Sequence, residues 1–127
     1  MIKLIVDPFP VVAQLDDLRR KAWGDDVASY GRELERSLVH VGAMEGAKLV
    51  GFVNVAWDGG QHGFILDTCV DPEHQRQGIA VRMVQQAAEV ARQRGAEWLH
   101  VDFEPHLEGF YRQCGFEPTP AGLMRLK

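Results

Sequence analysis

The sequence predicts an α/β (α+β mixed) domain in which a central sheet carries helices on both faces. Three observations lead there. The apolar run from Phe64 to Val70 reads as a buried strand, and after a polar turn a helix follows, from Ile79 to Gly95. Two β-rich runs, Val39 to Met44 and Lys48 to Trp57, precede that unit and are joined by tight turns. Helical stretches stand on either side, giving the order β-α-α-β-β-β-α-β-α-β-β, which suits one sheet covered on two sides.

Taken in order, Met1 to Val6 is a first strand, closed by Asp7-Pro8 and Pro10 because proline fixes φ and lacks an N–H. A helix spans Val11 to Trp23, with Val11, Val12, Leu15, Leu18 and Trp23 roughly on one face. Gly24-Asp25-Asp26 breaks it, and an aspartate there is placed to cap a second helix through Tyr30, Leu34 and Leu38. Glu45-Gly46-Ala47 turns between the two β-rich runs, and Asp58-Gly59-Gly60 is a hairpin signal leading into Phe64. After Gly78, the positions Ile79, Met83, Ala87 and Ala91 form a 3.6-residue stripe flanked by Ala80, Val84 and Ala88. Arg82, Gln85, Gln86, Glu89, Arg92 and Gln93 take the other side, and Gly95 stops the helix. Glu97 to Glu104 alternates polar with apolar, as a half-buried strand does, until Pro105 ends it. His106 to Cys114 reads as a short helix; Gly115-Phe116 begins another strand, and Gly122 to Lys127 supplies a last one.

With 127 residues the chain can bury one proper core, so residues 1–127 are expected to form a single domain. A net charge of −4 leaves no basic footprint for nucleic acid. No apolar run approaches the ~20 residues that span a bilayer, and the N-terminus shows no basic-then-apolar signal pattern. The expected location is the cytoplasm, with neither nucleic acid nor membrane as partner. The two cysteines, Cys69 and Cys114, offer no metal-ligand spacing and no disulfide framework. Neither has a sequence-adjacent base, so both read as small buried hydrophobes, and no metal is expected.

The turn between strand and helix has a chemical use. The first N–H groups of a helix lack intrahelical partners and sit at its positive end, where they bind anions. Gly78 lets a bulky anion approach the backbone, and Gln75, Arg76 and Gln77 surround it with donors. Charge and geometry suit a pyrophosphate; an ordinary solvated turn is the competing reading. The commoner phosphate loops are absent, since neither Gly-x-x-x-x-Gly-Lys-Ser/Thr nor Gly-x-Gly-x-x-Gly after a strand occurs.

Gln75-Arg76-Gln77-Gly78-Ile79-Ala80 resembles the acetyl-CoA signature of the GNAT N-acetyltransferases, Gln/Arg-x-x-Gly-x-Gly/Ala. As in that superfamily, the strand before it ends in Val-x-Pro and a long amphipathic helix follows. Downstream, Phe110-Tyr111-Arg112-Gln113-Cys114-Gly115-Phe116 resembles the superfamily's second motif, aromatic-Tyr-x-x-x-Gly-Phe. The likeness covers Phe64 to Phe116 well and the N-terminal half in outline.

The resemblance implies a mostly antiparallel mixed sheet and an acetyl-CoA-dependent N-acetyltransferase acting on a small-molecule or peptide amine. It places acetyl-CoA, as co-substrate, against Cys69 and Val70, the turn from Gln75 to Ala80, and Tyr111. It makes the backbone N–H of Val70 or its neighbour the oxyanion donor, and Tyr111 the acid that protonates the departing thiolate; a core tyrosine is the alternative for Tyr111. The base stays open among Asp67, Asp102 and Glu104, with His100 and His106 as further titratable options. Where the second motif usually carries asparagine, seven residues before its tyrosine, this chain has Glu104, either an acceptor at the helix start or a group facing the amine. Trp23 and Tyr30 lie on helices that wall the acceptor site in the family, and read first as core aromatics. His62, in the hairpin turn, is expected to be exposed and idle. The family's habit and the apolar strand from Lys48 to Trp57 imply a two-fold homodimer. A non-catalytic acyl-CoA-binding module is the alternative function; it would share the pyrophosphate turn and differ at Tyr111 and the carboxylates.

Overall fold

A computed structural model of the chain describes residues 1–8 and 12–127. Five strands form one sheet in the order β1-β2-β3-β4-β5: Ile2–Val6, Ser37–Glu45, Lys48–Trp57, His62–Val70 and Trp98–His100. The first four are antiparallel neighbours, while β4 and β5 run parallel. Helices α1 (Val12–Trp23) and α2 (Ile79–Gln93) lie on opposite faces, and α3 (Glu108–Cys114) packs beside α2. The mixed, mostly antiparallel sheet with helices on both faces is therefore present. Pro10 and Val11, expected at the close of the first strand and the start of the helix, lie outside the described residues.

Each face has its own core. The apolar stripe of α2 buries Ile79, Met83, Ala87 and Ala91 with Val84 and Val90 against Val39, Val41, Val53, Val55 and Ile65. Close seating needs Gly51, where a Cβ would lie 2.9 Å from Met83 Sδ. On the other face, Leu15 and Leu18 of α1 meet Tyr30, Leu49, Phe52 and Cys69. Val12 and Trp23, expected on the buried face of α1, are about half exposed.

Four expectations are corrected. The second N-terminal helix does not form, and only a 3₁₀ turn at Glu33–Arg36 appears. Tyr30 is buried edge-on to Phe52 in an irregular segment, and Leu38 enters β2, whose Ser37 and Val39 pair with Ala56 and Val55. Gly31 interrupts the helical pattern, and strand pairing by β-branched residues overrides the rest. The strand expected from Glu97 to Glu104 is only Trp98–His100, because pairing with β4 stops at Phe64↔His100. The two C-terminal strands are absent: Phe116 packs beside Tyr111 and residues 117–127 are exposed without regular structure. Finally, β3 is the middle strand, buried from Leu49 to Val55, so the expected apolar surface of Lys48–Trp57 is reduced to its ends.

Candidate active site

Two features open the sheet at one end. Beyond Phe64, β4 has lost β5 as a neighbour, so its edge there is unpaired in the sheet. A β-bulge follows at Asp67, where the β3 register shifts between Phe52↔Cys69 and Asn54↔Leu66. Asp67 takes φ +60°, a left-handed conformation that aspartate enters more readily than most non-glycine residues.

The end of β4 sets the orientation of Val70. Asp71 donates its N–H to Val50 O at 2.8 Å, and Gly51 stands opposite Val70. Because antiparallel ladders alternate, the N–H and C=O of Val70 then point away from β3, toward the open edge. The carbonyl accepts Gln75 Nε2 at 3.3 Å, which ties the turn to the strand. The N–H faces the cleft.

Asp71 starts a 3₁₀ turn, Pro72–His74, with its side chain accepting the N–H of Glu73 at 2.9 Å. Burial alone would raise the Asp71 carboxyl, but the Glu73 N–H and the charges of Lys48, Lys21 and His74 outweigh it and hold the group below its ordinary value. The backbone then passes through φ +63° at Arg76 and +77° at Gly78 before α2 begins. The first helical hydrogen bond is Arg82 N–H to Gly78 O, 3.1 Å, so the N–H groups of Ile79, Ala80 and Val81 have no partner within the helix. No acidic residue and no side-chain cap blocks that end, and a Cβ built on Gly78 would meet nothing within 4 Å. This is an open, positively polarised cradle that fits a pyrophosphate.

A cavity of about 330 Å³ lies over the cradle, lined by Gln75, Arg76, Gly78 and Ile79 among others. A second, of about 540 Å³, is lined by Thr68, Cys69, Tyr111, Glu104, His106 and Trp23. The two share Val70, Gln75, Ala80 and Phe110, so they form one cleft leading from the helix start to Tyr111. Gln77 stands exposed on the turn and lines neither cavity.

Tyr111 is buried in an aromatic nest of Phe103, Phe110 and Phe116. Burial raises its phenol above the ordinary tyrosine value; the Thr68 hydroxyl beside it pulls part of the way back, without a hydrogen bond of full geometry. Cys69 is buried and its thiol is pushed up to about 12, chiefly by desolvation. Glu104 precedes the Pro105–Leu107 turn without capping it, and is exposed beside His106 at 3.5 Å. Asp67 precedes the cleft residues Thr68 and Cys69, lines neither cavity itself, and accepts the Tyr30 hydroxyl at 2.9 Å. Asp102 is exposed and lines neither cavity.

His100 belongs elsewhere. Its Nε2 lies 2.7 Å from Nδ1 of His62, and its ring stacks on Phe64 at the far end of β4. His62, expected to be idle, is engaged in this pair. Tyr30, expected as a core aromatic, is both buried and bonded to Asp67. Nothing in the residues near Tyr30 advertises that contact, which crosses 37 positions.

Comparison with known proteins agrees with this fold. The profile of the acetyltransferase (GNAT) family matches residues 1–116. A glucosamine 6-phosphate N-acetyltransferase of Oryza sativa subsp. japonica is 37% identical over 57 residues, covering 45% of this chain and 34% of the relative. The chain thus spans about a third of the length of the curated relatives it matches. Among solved structures, a GNAT family acetyltransferase of Streptococcus pneumoniae superposes with TM-score 0.77 at 25% identity, each chain covered in full. A GNAT family acetyltransferase of Brucella melitensis, solved with acetyl-CoA, gives TM-score 0.74 at 17% identity, covering 93% of this chain and 84% of the other; it speaks for the fold.

Proposed function

The chain belongs to the acetyltransferase (GNAT) family, and on that premise we propose that it is an acetyl-CoA-dependent N-acetyltransferase. Residues 1–127 act as a single domain that transfers the acetyl group directly to a small-molecule or peptide amine. The observation that carries this reading is the alignment of three groups along one cleft. These are the free N–H groups at the start of α2, the outward N–H of Val70, and the buried phenol of Tyr111.

The roles follow from that order. Ile79, Ala80 and Val81 hold the pyrophosphate through their N–H groups, with Gln75 and Arg76 beside them and Cys69 and Val70 along the strand end. The acceptor nitrogen attacks the thioester carbonyl; a C–N bond forms, the C–S bond breaks, and the amine loses a proton. The Val70 N–H donates to the carbonyl oxygen as negative charge develops there. Tyr111, kept protonated by its burial, gives a proton to the sulfur. Asp67 or Glu104 takes the amine proton, directly or through a water. Cys69, with its thiol pushed up to about 12, is a poor nucleophile, which supports direct transfer over an acetylated enzyme.

The same reading includes a cytoplasmic, two-fold homodimer. With β3 buried, its support is the apolar surface left at Trp98, Leu123, Met124 and Leu126. Light scattering that gave a monomer mass at high concentration would remove the dimer.

The function is tested by following thiol release from acetyl-CoA with a panel comprising tryptamine, spermidine, glucosamine 6-phosphate and a peptide with a free N-terminus. Amine-dependent release is expected with at least one of them. Tight acetyl-CoA binding without release from any amine would favour the acyl-CoA-binding module instead.

A further inference from the structure

Asp67 stands in an irregular stretch of β4. It sits at a bulge with φ +60°, half-buried, three residues before the outward N–H of Val70. Among the described residues its one side-chain hydrogen bond is to the hydroxyl of Tyr30, which donates to Oδ2 at 2.9 Å. Among the same residues, Oδ1 accepts no hydrogen bond.

The phenol that makes this bond is itself fixed by an unusual amount of buried charge. Asp16, nearly inaccessible on α1, accepts the Tyr30 N–H through Oδ1 at 2.8 Å and the Ser29 hydroxyl through Oδ2 at 2.6 Å. Those two bonds hold the Asp16 carboxyl below its ordinary value. Arg19, also buried, lies 3.8 Å from Asp16 and donates to Ala28 O at 2.9 Å. Its guanidinium carbon stands 4.7 Å over the Tyr30 ring, whose edge meets Phe52 with centroids 5.7 Å apart. A buried aspartate and arginine add little net stability but can fix a local conformation. Here they hold the 28–30 segment, and with it the Tyr30 ring whose hydroxyl reaches Asp67.

Glu104, the rival base, lines the cleft, which Asp67 does not, but has no such support. It is exposed, and its nearest charged partner is the equally exposed His106. A carboxylate held by a braced phenol, three residues before the outward N–H of Val70, is the pattern of a preorganised functional group.

We propose that Asp67 is the base for the acceptor amine and that Tyr30 is its positioning residue, holding one carboxylate oxygen so that the other meets the incoming ammonium. This rests on the acetyltransferase reading above. The Asp16–Arg19–Ser29 cluster serves the phenol and takes no part in the chemistry. The carboxylate forms no bond to carbon; it takes one proton from the ammonium and passes it to water, and the second nitrogen proton, lost once the C–N bond has formed, restores the Tyr111 phenol that protonated the sulfur.

The test is a double-mutant cycle with Tyr30→Phe and Asp67→Asn, assayed with whichever amine of the panel the wild type acetylates fastest. Asp67→Asn should lower kcat by about 100-fold or more. Tyr30→Phe keeps the ring and should lower kcat by about 10- to 100-fold through misplacement of the base, with KM for acetyl-CoA nearly unchanged. In the Asp67→Asn background, Tyr30→Phe should add less than about threefold, because the group it positions is gone. The melting temperature falls under either account and decides nothing. Multiplying effects in the double variant, or a Tyr30→Phe enzyme with wild-type kcat, would overturn the positioning role. A wild type that binds acetyl-CoA yet acetylates no amine would overturn the acetyltransferase reading, and this inference with it.

Discussion

The ring of Tyr111 lies against that of Phe103, with centroids 5.1 Å apart and planes 23° from parallel. Phe103 comes just after the short strand β5, and Tyr111 from α3, so this stack fixes the phenol at the open edge of the sheet.

If Tyr111 protonates the departing thiolate, Tyr111→Phe separates the proton from the packing. The ring still fills the nest, so acetyl-CoA affinity and melting temperature should change little, while kcat should drop by at least ~100-fold. A purely structural tyrosine would do the reverse, losing ~1–3 kcal/mol of stability at nearly full rate. The pH dependence has a definite sign. Burial raises the phenol, so the acid stays protonated across neutral pH, and Tyr111 should cause no alkaline loss of rate below its ordinary 10.

Cys69 lines the cleft but its thiol is pushed up to about 12 by burial. Cys69→Ala should therefore keep kcat within a few-fold, and the native protein should resist iodoacetamide at Cys69 at pH 7–8. Loss of activity together with a trapped acetyl-cysteine would overturn direct transfer.

Asp71 links pH to stability. Its carboxyl is held below the reference value of 3.8, since the Glu73 N–H, Lys48, Lys21 and His74 outweigh its burial. A group depressed in the folded state stabilises above its unfolded pKa and loses that contribution as pH falls through the folded value. Asp71→Asn should thus cost ~1–3 kcal/mol at pH 7 and distinctly less at pH 2–3, measured by urea unfolding at both. An equal loss at both pH values would show that the charge contributes nothing.

Much of this fold is written in local pattern. The α2 stripe was legible because a long helix between a proline-closed strand and Gly95 has one consistent apolar face, and the structure buries it. The open start of α2 was legible for a related reason, since a strand, one glycine and a helix start leave free N–H groups wherever they occur. Tertiary partners decide the remainder. Alternation continues from Trp98 to Glu104, yet a strand needs a neighbour and β4 stops pairing at Phe64. Leu123, Met124 and Leu126 look strand-like and remain exposed for the same reason. The bulge at Asp67 leaves no mark in Leu66-Asp67-Thr68, and the role of Tyr30 depends on a contact across 37 positions. Only the assembled chain shows them.

The central claim is that the turn before α2 holds acetyl-CoA, and titration calorimetry on a charge reversal of that cradle tests it most directly. At Gly78 a side chain would meet no neighbour, but φ +77° disfavours most residues, so Gly78→Asn serves as the control because asparagine tolerates that conformation. Gly78→Asp adds a negative charge within a few ångströms of the pyrophosphate, worth ~3–4 kcal/mol of repulsion, or a loss of at least ~100-fold in affinity. The account predicts measurable acetyl-CoA binding by wild type and Gly78→Asn, and none by a folded Gly78→Asp. A Gly78→Asp protein that binds acetyl-CoA as tightly as wild type would contradict it.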